Sequence, residues 1–241
     1  MAVIWDLTED DVHYEVRSAG SSLRLYTNGA FHSQHSEKHL FTGAIWDLLS
    51  IPACFVSTRS VLMLGVGGGA AIHQINKLVH PEQIVGIDFN PVHLKIAEEI
   101  FKVTAPNIRL ELNDARKWVA QHHSRFNVVI DDLFVDAEDD SERSFASDQA
   151  WLTELNRIVS QDGVLVQNHL SRSAAIATAD TLKGEYQSAL MLTVPQYENV
   201  VLALYRQQIN RRSVVKSFEN MLNTKHPGAR SKLRYQVRQY Y

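Results

Sequence analysis

The sequence holds one cysteine, Cys54, in 241 residues. An intrachain disulfide is therefore excluded, and a reducing compartment is the expected setting. Flanked by Ala53 and Phe55, Cys54 reads as a packed apolar residue, not a nucleophile. Long apolar runs are missing as well. None approaches the ~20 residues that span a bilayer, so no membrane contact is expected. A basic leader is also lacking: Asp6, Glu9, Asp10 and Asp11 crowd the first residues. A signal peptide is therefore not expected, and the cytoplasm is the expected location. Metal-ligand spacing is absent too. His32 and His35 lie close together, but no cysteine or carboxylate completes a set, and no metal is expected. Internal repeats and low-complexity segments do not occur.

What remains is ordinary for a folded chain. Hydrophobic residues make up 45% and charged residues 21%, enough for a substantial core. The net charge of −3 is unevenly spread. Residues 206–241 carry nine Lys or Arg and one acid, Glu219, a net of +8, which leaves −11 for the rest. Residues 214–222 read as an amphipathic helix in this tail, and Pro227-Gly228 breaks the chain after it. Lys and Arg neutralise phosphates and tyrosines stack on bases, so nucleic acid is one reading of the tail. The preferred reading is a strand or arm packed on the body or on a second subunit. Nucleic acid is not the expected partner, and a homo-oligomer, a dimer, is.

The most informative stretch is Ser60-Val-Leu-Met-Leu-Gly-Val-Gly-Gly-Gly69. The apolar run 61–64, closed by glycine, reads as a buried parallel strand. Gly65, Gly67, Gly68 and Gly69 let the backbone take positive φ and let a ligand approach without meeting a Cβ. Residues 70–79 follow as a helix, with Ile72, Ile75, Leu78 and Val79 on one side. Strand, glycine turn and helix together suit a nucleotide-binding crossing, although a tight turn without ligand gives the same pattern. The next strand, 83–89, ends in Asp88, 23 residues after Gly65. An acid there can accept from both ribose hydroxyls, or it can cap the helix that starts at Pro91.

Upstream, residues 12–17 and 23–26 are strand candidates, and Thr27-Asn28-Gly29 carries a type I′ hairpin signal. A small antiparallel appendage is expected over 1–36. Residues 37–50 read as a helix that stops before Pro52. From Ser60 to residue 206 strand and helix alternate: helices at 91–102, 115–122, 148–159 and 173–187, strands at 108–112, 126–131 and 164–168. Two last strands, about 188–194 and 199–205, have no helix between them and read as an antiparallel hairpin at the sheet edge. The division expected is an appendage (1–36), a nucleoside-binding α/β domain (37–206) and a basic extension (207–241).

Seven strands, a glycine turn after the first and an acid after the second resemble the class I methyltransferase fold, a Rossmann-like α/β arrangement. Within it, several stretches resemble the spermidine synthase family of polyamine aminopropyltransferases. These are residues 25–32, 61–69, 85–91, Asn113-Asp-Ala-Arg116, 126–132 and Leu192-Thr-Val-Pro-Gln-Tyr197. The resemblance implies an S-adenosylmethionine-type co-substrate, decarboxylated or not. Gly65, Gly67 and Gly69 would let it lie on the backbone. Asp88 would hold the ribose, Phe89 would press on the adenine, and Asp114 with a backbone N–H near Ala115 would bind the base edge. Asp114 is equally placed to cap a helix at 115. Asp132 takes the place of the family's general base, and His32, Asp136 and Tyr197 fall on the acceptor side. An attacking amine must lose a proton before its lone pair is available, which is why a carboxylate is needed there.

The chain also departs from the family. The glycine loop normally holds an aspartate that grips the aminopropyl amine, and here that position is Gly68. The second catalytic-loop aspartate is Val135, with Asp136 adjacent. A hairpin glutamine is His32, and a Tyr-His pair is Phe41-Thr42. Against this, Asp131, Asp132, Asp136, Glu138, Asp139, Asp140 and Glu142 form an acidic stretch that either draws in a polycationic amine or is simply solvated. Three functions follow. The first is aminopropyl transfer to an amine. The second is methyl transfer to a small molecule. The third is nucleoside binding without catalysis, with a tail that docks a partner.

Overall fold

The computed structural model describes residues 1–136, 141–143 and 148–241, the side chains of residues 135–136, 141–143 and Ser231 excepted. The chain opens with four antiparallel strands in sequence order, β1 (Ala2–Glu9), β2 (Val12–Ala19), β3 (Ser22–Thr27) and β4 (Ala30–Ser36). Asn28 (φ 48°) and Gly29 (φ 84°) make the β3–β4 turn, as the Asn-Gly pair requires. The sheet has one strand more at its start than the expected hairpins. β1 carries an irregularity between Val3 and Trp5, which breaks the two-residue alternation by which a strand is read.

After a short helix α1 (Trp46–Ser50), the chain builds β5 (Ser60–Leu64), α2 (Ala70–Val79), β6 (Gln83–Asp88), α3 (Pro91–Glu99), β7 (Ile108–Leu112), α4 (Ala115–Gln121) and β8 (Phe126–Asp131). A two-strand excursion, β9 (Phe134–Asp136) and β10 (Ser141–Arg143), comes next. The remainder is α5 (Gln149–Ile158), β11 (Val159–His169), α6 (Arg172–Leu182), β12 (Ser188–Thr193), β13 (Val200–Tyr205), α7 (Arg211–Lys225) and β14 (Gln236–Gln239).

The main sheet has the order β14-β12-β13-β11-β8-β5-β6-β7. Pairs from β11 to β7 are parallel, and those among β14, β12, β13 and β11 are antiparallel. Helices cover both faces, and alternate strand residues feed two separate cores. On β5, Val61 and Met63 join one core while Leu62 and Leu64 join the other. On β13, Val201, Ala203 and Tyr205 oppose Val200, Leu202 and Leu204 in the same way. This is the doubly covered, mostly parallel sheet that the alternation of strand and helix predicts.

Three expectations need correction. The helix expected over 37–50 is confined to Trp46–Ser50, and a 3₁₀ turn carries on through Pro52. Gly43 at φ 84° and the Asp47 carboxylate, which accepts from the N–H groups of Thr42 (2.9 Å) and Gly43 (2.7 Å), hold residues 42–43 outside the helix. The apolar side chains of the stretch still pack, Phe41, Leu48 and Leu49 with almost no exposure. The closing pair β12–β13 is not at the edge, because β14 pairs outside β12. Finally, the helices begun at residues 91 and 172 end at Glu99 and Leu182, earlier than their apolar periodicity suggests.

Candidate functional site

The chain runs from β5 outward through β6 and β7, then returns to lay β8 on the other side of β5. Loops leaving the carboxyl ends of β5 and β8 diverge there, and an open α/β sheet leaves a crevice at such a point. A cavity of about 600 Å³ occupies it. One wall is the glycine turn with the end of β6: Gly65, Val66, Gly67, Asp88 and Phe89. The facing wall is Asp132, Leu133, Asn168, Tyr197 and Asn199. The N-terminal sheet closes the cavity with Tyr14, Phe31 and His32, and α3 adds His93.

The glycines have different reasons. A Cβ on Gly65 (φ +85°) would lie 2.2 Å from the Asp132 carbonyl oxygen, so this glycine lets the two strand ends approach. Gly67 lines the cavity, and a Cβ there would make only ordinary contacts, 3.4 Å from the His32 carbonyl oxygen and 3.9 Å from Ser33 Cβ. At Gly68 a Cβ would stand 2.4 Å from the Phe101 ring and 2.9 Å from Ser33. Behind Gly69 the space is taken by Val103, and that glycine does not line the cavity.

Asp88, 6% exposed, binds the glycine turn. Its Oδ2 accepts from the N–H groups of Val66 (2.9 Å) and Gly67 (3.0 Å), and its Oδ1 from Asn90 N–H (2.9 Å). A carboxylate offers about four acceptor directions, so three are taken and about one remains for a ligand. Asn90, not Asp88, caps α3, accepting from the N–H groups of Val92 and His93 with Pro91 in the first turn. Phe89, 54% exposed, presents its ring at the cavity rim. Asp114 and Ala115 follow Asn113, whose N–H donates to the Asp88 carbonyl at 3.0 Å. Asp114 is exposed and caps α4 through Lys117 N–H (3.0 Å), and neither residue lines the cavity.

On the facing wall Asp132 is half-buried, with its N–H on the Leu64 carbonyl (2.9 Å). Asn168 Nδ2 donates to Asp132 Oδ1 at 2.8 Å, and Asn199 Nδ2 donates to Asn168 Oδ1 at 3.1 Å. That chain sets the Asn168 amide with its NH₂ toward the carboxylate and its oxygen toward Asn199. Asp131 lies in the core, accepting from Trp151 Nε1 (3.1 Å) and Gln167 Nε2 (2.8 Å), and does not belong to a solvated acidic stretch. The His32 ring is 5.2 Å from that of His93, whose Nε2 lies 2.8 Å from Thr27 Oγ1. Burial raises the pKa of the Tyr197 phenol. Cys54 is held inert, its thiol pushed up to about 12 by burial. Residues 137–140 and the side chains of Asp136 and Glu142 lie outside the described residues. Among the described residues no group of three or more His, Cys, Asp or Glu is placed to hold a metal ion.

Asn168, Asn199 and His93 escaped the sequence reading. The signal was present for Asn168: polar Gln-Asn-His at the carboxyl end of an apolar parallel strand is the position from which such sheets present ligand contacts.

A family model described as a methyltransferase domain matches residues 56–217. The chain belongs to that family. Among curated proteins it is 28% identical over 127 residues to the polyamine aminopropyltransferase of Mycobacterium tuberculosis (strain H37Rv), a match covering 49% of this chain and 24% of that protein. It thus spans about a quarter of the length of the curated relative it matches. Among solved structures it superposes on a probable spermidine synthase from Corynebacterium glutamicum with TM-score 0.76 and 13% identity, over 99% of this chain and 91% of that one. A spermidine synthase in complex with the transition state analogue AdoDATO gives 0.67 and 14%, over 92% and 88%. At these identities the structural likeness speaks for the fold. Across the comparisons, the chain is a methyltransferase-fold protein structurally close to the spermidine synthases.

Proposed function

We propose that the chain transfers a group from an S-adenosylmethionine-type donor to a small acceptor, an amine, with Asp132 as the proton acceptor. The observation that carries this is the pair of opposed cavity walls: a backbone cradle at Gly67 beside Asp88 and Phe89, facing a carboxylate oriented by Asn168. The cavity, about 600 Å³, is of the size that holds a ligand of this class. The donor supplies an electrophilic carbon beside a positively charged sulfur. The chain supplies the rest. Gly67 admits the ligand against the backbone, Asp88 accepts from a ribose hydroxyl with its remaining acceptor direction, and Phe89 covers the base. Asp132 takes the proton that the acceptor nitrogen loses, and a carboxylate there also stabilises positive charge building on that nitrogen. His32 and Tyr197 line the acceptor side.

Position 68 bears on which group moves. Position 68 carries no carboxylate, and a Cβ there would stand 2.4 Å from the Phe101 ring; an acid at that position would repel the carboxylate of the intact donor, and a glycine does not. This supports methyl transfer from intact S-adenosylmethionine. Aminopropyl transfer from the decarboxylated donor is the second reading, supported by the curated aminopropyltransferases and by the spermidine synthases among the structural neighbours. Calorimetric titration with both donors and with methylthioadenosine separates the two. Tighter binding of the intact donor is expected, and the reverse order favours the aminopropyl reading. Mass spectrometry across a panel of small amines then identifies the product. Asp132→Asn should keep donor affinity and lower turnover by roughly 10²–10⁴. Unchanged turnover removes Asp132 from the mechanism, and binding of all three ligands without any acceptor consumed favours a non-catalytic role.

A further inference from the structure

A second cavity, about 580 Å³, lies between α7, the 3₁₀ turn Ala229–Ser231 and β14, and shares no lining residue with the first. Its charge sets it apart. Arg211, Arg230, Arg234 and Arg238 line it against a single carboxylate, Glu219. Four guanidiniums and one carboxylate leave +3. Glu219 is already engaged by Arg230 at 2.9 Å, and Arg211, Arg234 and Arg238 form no ion pair with the described residues. This cavity concentrates part of the +8 that residues 206–241 hold in an otherwise acidic chain, and the transferase site uses none of it.

The arginines stand on a fixed wall. Phe218 and Leu222 of α7 and Leu233 and Val237 beyond it are buried in the main core, and the Tyr235 ring meets Phe218 edge-on at 6.0 Å. Arg211 Nη1 donates to the Val237 carbonyl at 3.0 Å, tying the first turn of α7 to β14. Along β14, Gln236 and Arg238 share a face about 6.6 Å apart. Arg211, Val215 and Glu219 recur at four-residue spacing on one face of α7. A ligand entering here does not have to order the tail, so little ordering entropy opposes binding.

Guanidinium forks match phosphate oxygens two at a time, and several around one concavity suit an anion with several adjacent phosphates. Tyr235 is the one aromatic side chain among the residues lining the cavity, half-buried with its ring edge-on to Phe218, whereas a single strand is held by a series of exposed aromatic faces. We propose that this cavity binds a compact oligophosphate, whether inorganic or the phosphate chain of a nucleotide. The site is independent of the transferase reading.

The test is calorimetric titration of the full chain with inorganic tripolyphosphate, with ATP, and with a short single-stranded RNA, at low and at raised salt. Saturable one-to-one binding of tripolyphosphate is expected, weakening with salt as screening requires. ATP should bind with similar affinity. Arg234→Glu with Arg238→Glu should weaken tripolyphosphate binding by about tenfold or more. The milder R238Q should give a smaller loss with unchanged thermal unfolding, and R125E, on an exposed arginine outside the cavity, no loss. Absence of saturable binding overturns the proposal. So does undiminished affinity in the double variant, or RNA binding without measurable affinity for tripolyphosphate.

Discussion

Asp88 gives the sharpest perturbation, because its carboxylate bridges the glycine turn and the start of α3 through three backbone N–H groups. Hydrogen bonds to a charged acceptor contribute about 1.5–3 kcal/mol each, and buried donors left without an acceptor cost a similar amount. Val66 is buried, whereas Gly67 and Asn90 are half-buried and can take up water, so the three terms do not add in full. Asp88→Ala should therefore cost about 3–5 kcal/mol of stability, within reach of the whole margin of a typical domain. Asp88→Asn keeps one carbonyl oxygen for the Val66 and Gly67 N–H groups but turns its NH₂ toward the Asn90 N–H. It should cost about 1.5–3 kcal/mol. In a chain of this size the alanine variant should melt on the order of 10 °C lower. Urea unfolding of the three proteins measures both steps. If Asp88→Ala unfolds within about 1 kcal/mol of the wild type, the carboxylate does not hold the turn. If the two variants lose equally, the count of hydrogen bonds is not what matters, and the reasoning fails.

Three further outcomes follow from the same geometry. Gly65→Ala would put a Cβ 2.2 Å from the Asp132 carbonyl oxygen at φ +85°, so it should destabilise by about 3 kcal/mol or more, and a near-neutral melting change would contradict the close approach of the strand ends. Burial raises the Asp47 carboxyl to about 6, more than its hydrogen bonds from Gly43, Gln74 and Thr42 lower it. The folded state therefore binds this proton more tightly than the unfolded state, and about 3 kcal/mol of stability present below pH 3.8 is lost as pH rises through 6. Unfolding free energies of wild type and Asp47→Asn across that range should diverge, and parallel profiles would count against it. His35, stacked on His73 at 4.2 Å, is lowered to about 3 by burial and then by His73 and Lys77. Its neutral form belongs to the fold, so stability should fall as pH drops from 6.5 toward 3, and His35→Phe should flatten that fall in acid titrations followed by circular dichroism.

The parts of the fold that can be read from sequence are those whose signal is local. A four-residue apolar run closed by glycine gave β5, and another closed by Asp88 gave β6. Their parallel pairing followed from the alternation with helices. What could not be read depends on distant neighbours. Gly65 answers to the Asp132 backbone and Gly68 to Phe101, contacts that span tens of residues, so a glycine loop reads the same whether a ligand or a ring fills the missing side chain. The helical period over 37–50 runs straight through Gly43, and only the Asp47 carboxylate reveals that the backbone there is not helical. β14 has one buried residue among four, Val237, and therefore no period to detect. In the candidate site, Asp132 was legible as an acid at a strand end. The Asn199–Asn168 chain that orients it arises from the β11–β13 pairing, which no local pattern carries.

A crystal structure of the chain grown with S-adenosylmethionine decides whether the crevice between Gly67 and Asp132 is the donor site. The ribose should lie against Asp88, the base beside Phe89 and the sulfonium turned toward Asp132. A ligand bound elsewhere, or a saturating soak that leaves that crevice without it, would overturn the donor site proposed for it.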